Sequence, residues 1–294
     1  MSATIRWAGT LTSTSSLAHG GQSRGTITLL RREAVVQPDG QMIWLPLVSG
    51  NAVKGRLRRI GEELLREALD YEGQLTLQAA AFLAGGGSMS KTGREPLTGE
   101  RLRRLRQLVP QVGVFGGAAG SRIIDGALQV GKMVPLVREA AAVLERYDVS
   151  GATAFGATQL ELYTRTDTES SHAIGDVADP SAVPLDLLGR PLLDEIPPAG
   201  GPMMWRVETF PAGTRFDWWV QLQRGTDLEV AFFRDVLATF VHGGQIGGRA
   251  SIGHGRFRAE LTQSVLIGRP GDVDWRQYVA EHRDDALEVL QWLT

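Results

Sequence analysis

Thirteen residues near the C-terminal end, Gly243 to Gly255, hold six glycines together with Arg249, Ser251 and His254. Glycine lets a main chain approach a ligand closely and turn several N–H groups one way, a geometry that cradles an anion. The same composition also serves a tight structural turn. Two familiar nucleotide loops are excluded: no Gly-Lys-Ser/Thr follows, and the loop comes after a helical stretch and before a strand, the reverse of a dinucleotide fingerprint. A second cluster is Ser49, Asn51, Lys54 and Arg58. Ser49 or Asn51 caps a helix whose apolar positions Val53, Leu57, Ile60, Leu64 and Ala68 share one face. Lys54 and Arg58 lie four apart on another face, with Arg56 and Arg59 beside them. Acids normally favour a helix start, so basic first turns predict that this end meets an anion.

Histidine is the side chain suited to accept a proton near neutral pH. His19 and His254 both stand in glycine-rich stretches, where each reads either as an anion contact or as a general base. His172, His242 and His282 have no spacing suited to a metal, and Asp125, Asp176 and Asp179 are scattered as solvated carboxylates are. Cysteine is absent, which excludes disulfide scaffolds, thiolate zinc sites, iron–sulfur clusters and cysteine nucleophiles. No Walker motif, His-Glu-X-X-His helix or serine elbow supports a metabolic enzyme with a nucleotide in its glycine-rich loop. We therefore expect no metal and no cofactor.

The elements that position these residues follow from periodicity. In 294 residues, 43% are hydrophobic and 22% charged, enough to bury a real core. The net charge of −2 argues against coating nucleic acid by bulk charge. Yet of 31 basic residues only Lys54, Lys91 and Lys132 are lysines, and arginine suits bidentate phosphate contacts and stacking on bases. Codon bias produces the same excess. Strands are expected at 4–11, 26–36, 42–46, 123–137, 203–210, 214–222 and 254–261, and helices at 53–68, 75–84, 98–109, 138–147, 228–241 and 275–293. Arg101, Arg103, Arg104 and Arg106 ring the 98–109 helix, which is either a strand-binding surface or an exposed amphipathic helix. From 166 to 202 the chain is rich in Pro, Gly, Asp and Ser and exceeds an ordinary loop. Strands and helices mix without a steady βα repeat, which favours α+β. No apolar run approaches the roughly 20 residues that span a bilayer, and no charged segment followed by an apolar one opens the chain. A cytoplasmic protein with no membrane partner is expected.

Four segments, in order, carry a resemblance. Leu47-Val48-Ser49-Gly50-Asn51-Ala52-Val53-Lys54-Gly55-Arg56-Leu57-Arg58 resembles the Pro-Gly-Ser-Ser-Leu-Lys-Gly-X-X-Arg helix start of the RAMP superfamily, the RNA-binding proteins of CRISPR–Cas effector complexes. Val114-Phe115-Gly116-Gly117 resembles that family's Leu-Phe-Gly-Ser segment, and Glu208 to Phe216 its Glu-X-Val-Pro-X-Gly-Thr-X-Phe. Gly247-Gly248-Arg249, followed by Gly253-His254-Gly255-Arg256-Phe257, resembles its terminal glycine-rich loop. Within the superfamily the pattern is similar to the backbone subunit that polymerises along the guide RNA, closest to the type IV or type I kind.

That resemblance implies an α+β fold with a ferredoxin-like (RRM-like) palm, a helical insertion and an extended β-hairpin thumb. On this division 1–74, 113–165 and 203–294 are palm, 75–112 is the helical insertion and 166–202 the thumb. It implies contacts to the guide RNA by His19, Gln22, Arg24, Ser49, Asn51, Lys54, Arg58, Gly248, Arg249, Ser251 and His254, with Met203, Met204 and Trp205 as a thumb wedge or else a plain core strand. Partners implied are guide RNA (crRNA), further copies stacked head-to-tail, other CRISPR effector subunits, and target nucleic acid through the guide. RNA-cleaving backbone subunits carry an aspartate after the first strand. Thr12 to Thr28 here holds neither Asp nor Glu, so no target-RNA cleavage is expected. The alternative within the superfamily is a guide-processing endoribonuclease using His19 or His254.

Overall fold

The computed structural model describes residues 2–87, 99–119, 122–144, 146–149, 158–165 and 203–293. The chain opens with strand β1 (Ser2–Ser13), then β2 (Gly20–Arg24), β3 (Ile27–Leu30), and the hairpin β4 (Arg32–Val36) and β5 (Met42–Pro46). Helix α1 (Gly50–Leu69) follows, then α2 (Leu77–Gly85), α3 (Gly99–Leu108) and α4 (Pro110–Phe115). Short strands come next: β6 (Gly116–Ala119), β7 (Arg122–Asp125), β8 (Leu128–Val130) and β9 (Val134–Pro135). After them lie β10 (Gln159–Arg165), β11 (Met203–Thr209), β12 (Arg215–Thr226), α5 (Asp227–Gly243), β13 (Phe257–Ile267), α6 (Trp275–Glu281) and α7 (Arg283–Leu290).

The central sheet runs β13-β1-β12-β8, every pair antiparallel, with β9 continuing the β8 edge against β12. If β8 and β9 count as one strand, the order is 4-1-3-2 in a β-α-β-β-α-β chain, and α1 and α5 pack together on one face. That is the ferredoxin-like arrangement. Its core follows from alternation: Phe216, Trp218, Val220 and Leu222 of β12 are fully buried, while the residues between them are only partly covered. Trp7 of β1 meets Phe233 of α5 edge-on at 5.3 Å. Ser49 caps α1 by accepting the Ala52 N–H, and Thr226 with Glu229 forms a capping box on α5.

Arg58 joins the helical region to this palm. It is 7% exposed, and its guanidinium donates to the Gly116 oxygen at 2.9 Å and the Phe115 oxygen at 3.0 Å. The Gln111 amide donates to the Arg58 and Leu83 carbonyls in the same pocket. Burial pulls the Arg58 pKa down to about 10, which leaves it charged at neutral pH.

A second sheet, β10-β11-β3-β2, stands beside the palm. The sequence reads Ser15 to Gly25 as flexible and 26–36 as one strand. Instead β2 pairs with β3, and the strand breaks at Arg31 so that β4 turns into a separate hairpin with β5. The expected strand over 123–137 is three short ones, and the C-terminal helix is split at His282. The helical region extends to Phe115. The segment 166–202 assigned to a thumb lies outside the described residues.

Candidate nucleic-acid interface

The two sequence clusters meet. The Gly248 N–H donates to the Ala18 oxygen and the Gly255 N–H to the Ser16 oxygen, so the glycine-rich loop is laced to the segment after β1. Gly255 has φ +78, and a Cβ there would lie 1.8 Å from the Ile246 oxygen, so only glycine fits. Between this loop, His19-Gly20 and the first turns of α1 runs a groove of about 480 Å³, lined by Asn51, Arg56, Arg59, Gly247 and Gly248. Neither Arg56 nor Arg59 forms an ion pair with a described residue, and the Arg56 Nε is buried without a partner among them. Guanidinium donors aimed into a groove walled by glycine backbone fit a phosphate.

Two neighbouring grooves extend the track. One of about 700 Å³ lies along β2 and holds Gln22, Arg24, Arg31 and Arg32 beside Trp44, which is 64% exposed. Another of about 340 Å³ holds Ser49, Asn51, Lys54 and Lys132. Burial, and then the charge of Arg58, hold the Lys54 ammonium below its ordinary pKa, so an arriving anion relieves that repulsion. Burial and then Arg31 likewise lower His19, whose neutral Nε2 accepts the Ser49 N–H at 3.2 Å.

Arg58, Arg249, Ser251 and His254, expected as contacts, do not line these grooves. Arg58 is a buried clamp, turned away from the groove, because the 3.6-residue period puts it on the core-facing side of α1 next to Leu57. The residues that face the groove are Arg56 and Arg59, which flank the Lys54–Arg58 pair along α1. His254 is also buried, at 5% exposure. The Tyr163 hydroxyl donates to Glu161 at 2.6 Å and lies 2.5 Å from the His254 Nε2, while His254 Nδ1 has no partner among the described residues. Burial raises the Glu161 carboxyl, but hydrogen bonds led by Ser16, Tyr163 and Thr209 outweigh it and hold the pKa at about 2. Arg249 takes a left-handed backbone at φ +63 and lays its guanidinium over Tyr163 at 5.2 Å and Trp205 at 5.9 Å. Trp205, half-buried on β11, stacks on Tyr163 of β10 at 5.8 Å. Met203 and Met204 begin β11, paired with the end of β10, and Met204 is exposed. Ser251 sits exposed in the loop's 3-10 turn. No sequence signal joined Glu161 and Tyr163 to His254, because about ninety residues separate them; their alternation along β10 was the available hint.

Among the described residues no three His, Asp or Glu side chains gather as metal ligands, and no helix is long and apolar enough to cross a membrane.

Comparison with known proteins then places the chain. The RAMP superfamily family model matches residues 45–258, from the last strand before α1 to the first residues of β13. The chain belongs to the RAMP superfamily. A solved structure titled "Type IV-B CRISPR Complex" contains a similar chain: 31% identical, covering 92% of this RAMP protein and 96% of the other, with a TM-score of 0.61. This likeness agrees with the resemblance to the type IV kind seen in the motifs. No curated protein matches it.

Proposed function

We propose that this RAMP protein is a CRISPR-associated RNA-binding subunit that holds guide RNA by its phosphate backbone. The observation that carries the reading is the groove where Arg56 and Arg59 of α1 meet the glycine-rich loop, uncommitted to any described carboxylate and walled by main chain. The likeness to a chain of a type IV-B CRISPR complex supports it. In the finer reading several copies stack head-to-tail along one guide through a heterologous interface. They leave the bases free to pair with target beside other effector subunits.

Cleavage is not part of this reading. A general base must reach the 2′-hydroxyl. His19 spends its Nε2 lone pair on the Ser49 N–H, and His254 is enclosed against Tyr163 and Glu161. Thr12 to Thr28 also carries no carboxylate.

Backbone contacts read no sequence. Two unrelated single-stranded RNAs of equal length should therefore bind within about threefold of each other, with parallel salt dependences. Arg249→Glu should weaken both alike, measured by fluorescence anisotropy. Loss of binding to one sequence alone would contradict the proposal.

A further inference from the structure

We infer that a second basic groove, at the opposite pole of the palm, binds the phosphodiester backbone of another nucleic-acid strand. This groove, of about 790 Å³, is lined by Arg103, Arg106 and Gln107 of α3, Arg224 at the end of β12, and Tyr278 of α6. A neighbouring groove of about 630 Å³ shares Arg103 and Gln107 and adds Arg101, Arg104 and Trp292. Together they make a continuous track along α3.

Its position separates it from the glycine-rich loop. The glycine-rich loop joins the end of the palm where Ser13 pairs with Phe257, whereas Arg224 lies where Ser2 pairs with Thr226. The 12-residue length of β1 stands between them, roughly 35–40 Å. A nucleotide held at the glycine-rich loop cannot reach Arg224; the Lys54–Lys132 groove lies nearer, since Leu128 in its lining pairs with Leu222, two residues before Arg224.

The arginines divide into fixed and free. Arg104 pairs with Asp285 at 2.5 Å, Arg106 lies 3.8 Å from Glu229, and Arg101 sits over the Trp292 ring. Arg103 and Arg224 are exposed and form no ion pair with a described residue. Two carboxylates, Asp227 and Glu229, also line the groove, and both are hydrogen-bonded. Glu229 accepts the Thr226 N–H and Asp227 the Gly271 N–H. Arg224 is held at φ +47 with its N–H on the Thr4 hydroxyl, a conformation that glycine adopts at lower cost. Keeping an arginine there is understandable where its side chain is used. Unpaired guanidinium forks beside aromatic rings suit a polyanion with stackable bases better than an acidic protein face.

The test removes the two free charges without endangering the fold: Arg103→Gln on an exposed helix face and Arg224→Gly, which relieves the left-handed strain. A labelled single strand complementary to the guide, and an unrelated strand, are titrated onto wild type and double variant, as RNA-loaded particles or as bare protein if none is loaded. Guide content and melting temperature should be unchanged. Strand affinity should fall about tenfold and the salt slope by about 1.4. Equal strand affinity and slope in both proteins would overturn the inference, as would loss of guide RNA or of a protein partner from the variant with strand binding intact. A wild type that carries no RNA counts against the guide reading and leaves the groove to be judged on the bare protein.

Discussion

Replacing both groove-facing arginines of α1, Arg56→Glu with Arg59→Glu, is expected to lower RNA affinity by about a hundredfold or more near 0.1 M salt. Each arginine supplies a charge-assisted contact, on the order of 1.5–3 kcal/mol with phosphate. Two such losses give about 3 kcal/mol at the lower end, before the new repulsion is counted. The salt dependence should flatten by about 1.4 in log–log slope. The fold should survive, because neither side chain is paired with a described carboxylate and both line an open groove. Anisotropy titrations over a salt series check this. Unchanged affinity with a folded variant would show that the path of the RNA lies elsewhere.

Arg58→Leu should do the converse. Its guanidinium is buried and satisfies the Phe115 and Gly116 carbonyls where α4 ends and β6 begins. Leucine leaves both oxygens buried without donors, at about 1–3 kcal/mol each. In a domain of this size that is a fall in melting temperature of about 10 °C. Arg58→Lys should recover only part of it, since an ammonium cannot reproduce the fork. RNA affinity per folded molecule should hold. Calorimetry paired with binding below the transition checks both halves, and a variant that melts normally yet loses RNA would return Arg58 to the interface.

The contrast between these neighbours marks what was legible in the sequence. The helix was legible because Val53, Leu57, Ile60 and Leu64 repeat at its period. The basic first turns were legible because acids normally stand there. Which arginine faces which way was harder. A long cationic side chain one position beyond an apolar residue can snorkel or turn inward, and only the carbonyls of Phe115 and Gly116, far along the chain, make inward the better choice for Arg58. The palm order was not readable from single strands, since β1 pairs with β12 and β13 more than two hundred residues away. Thr226 and Glu229, by contrast, announce the α5 start locally. The second sheet escaped notice because β2 is Gly-Gly-Gln-Ser-Arg, wholly exposed, with no apolar alternation to betray a strand. The aromatic platform under Arg249 needed β10 and β11 to be paired before Tyr163 and Trp205 could meet.

The measurement closest to the central claim is the nucleic acid that the protein carries. The chain is co-expressed with a CRISPR array, purified at high salt, and its bound RNA run on a denaturing gel beside the mass of the particle. The account predicts discrete RNA of guide length in a particle much larger than the 31.9 kDa chain. A monomer free of nucleic acid would contradict it.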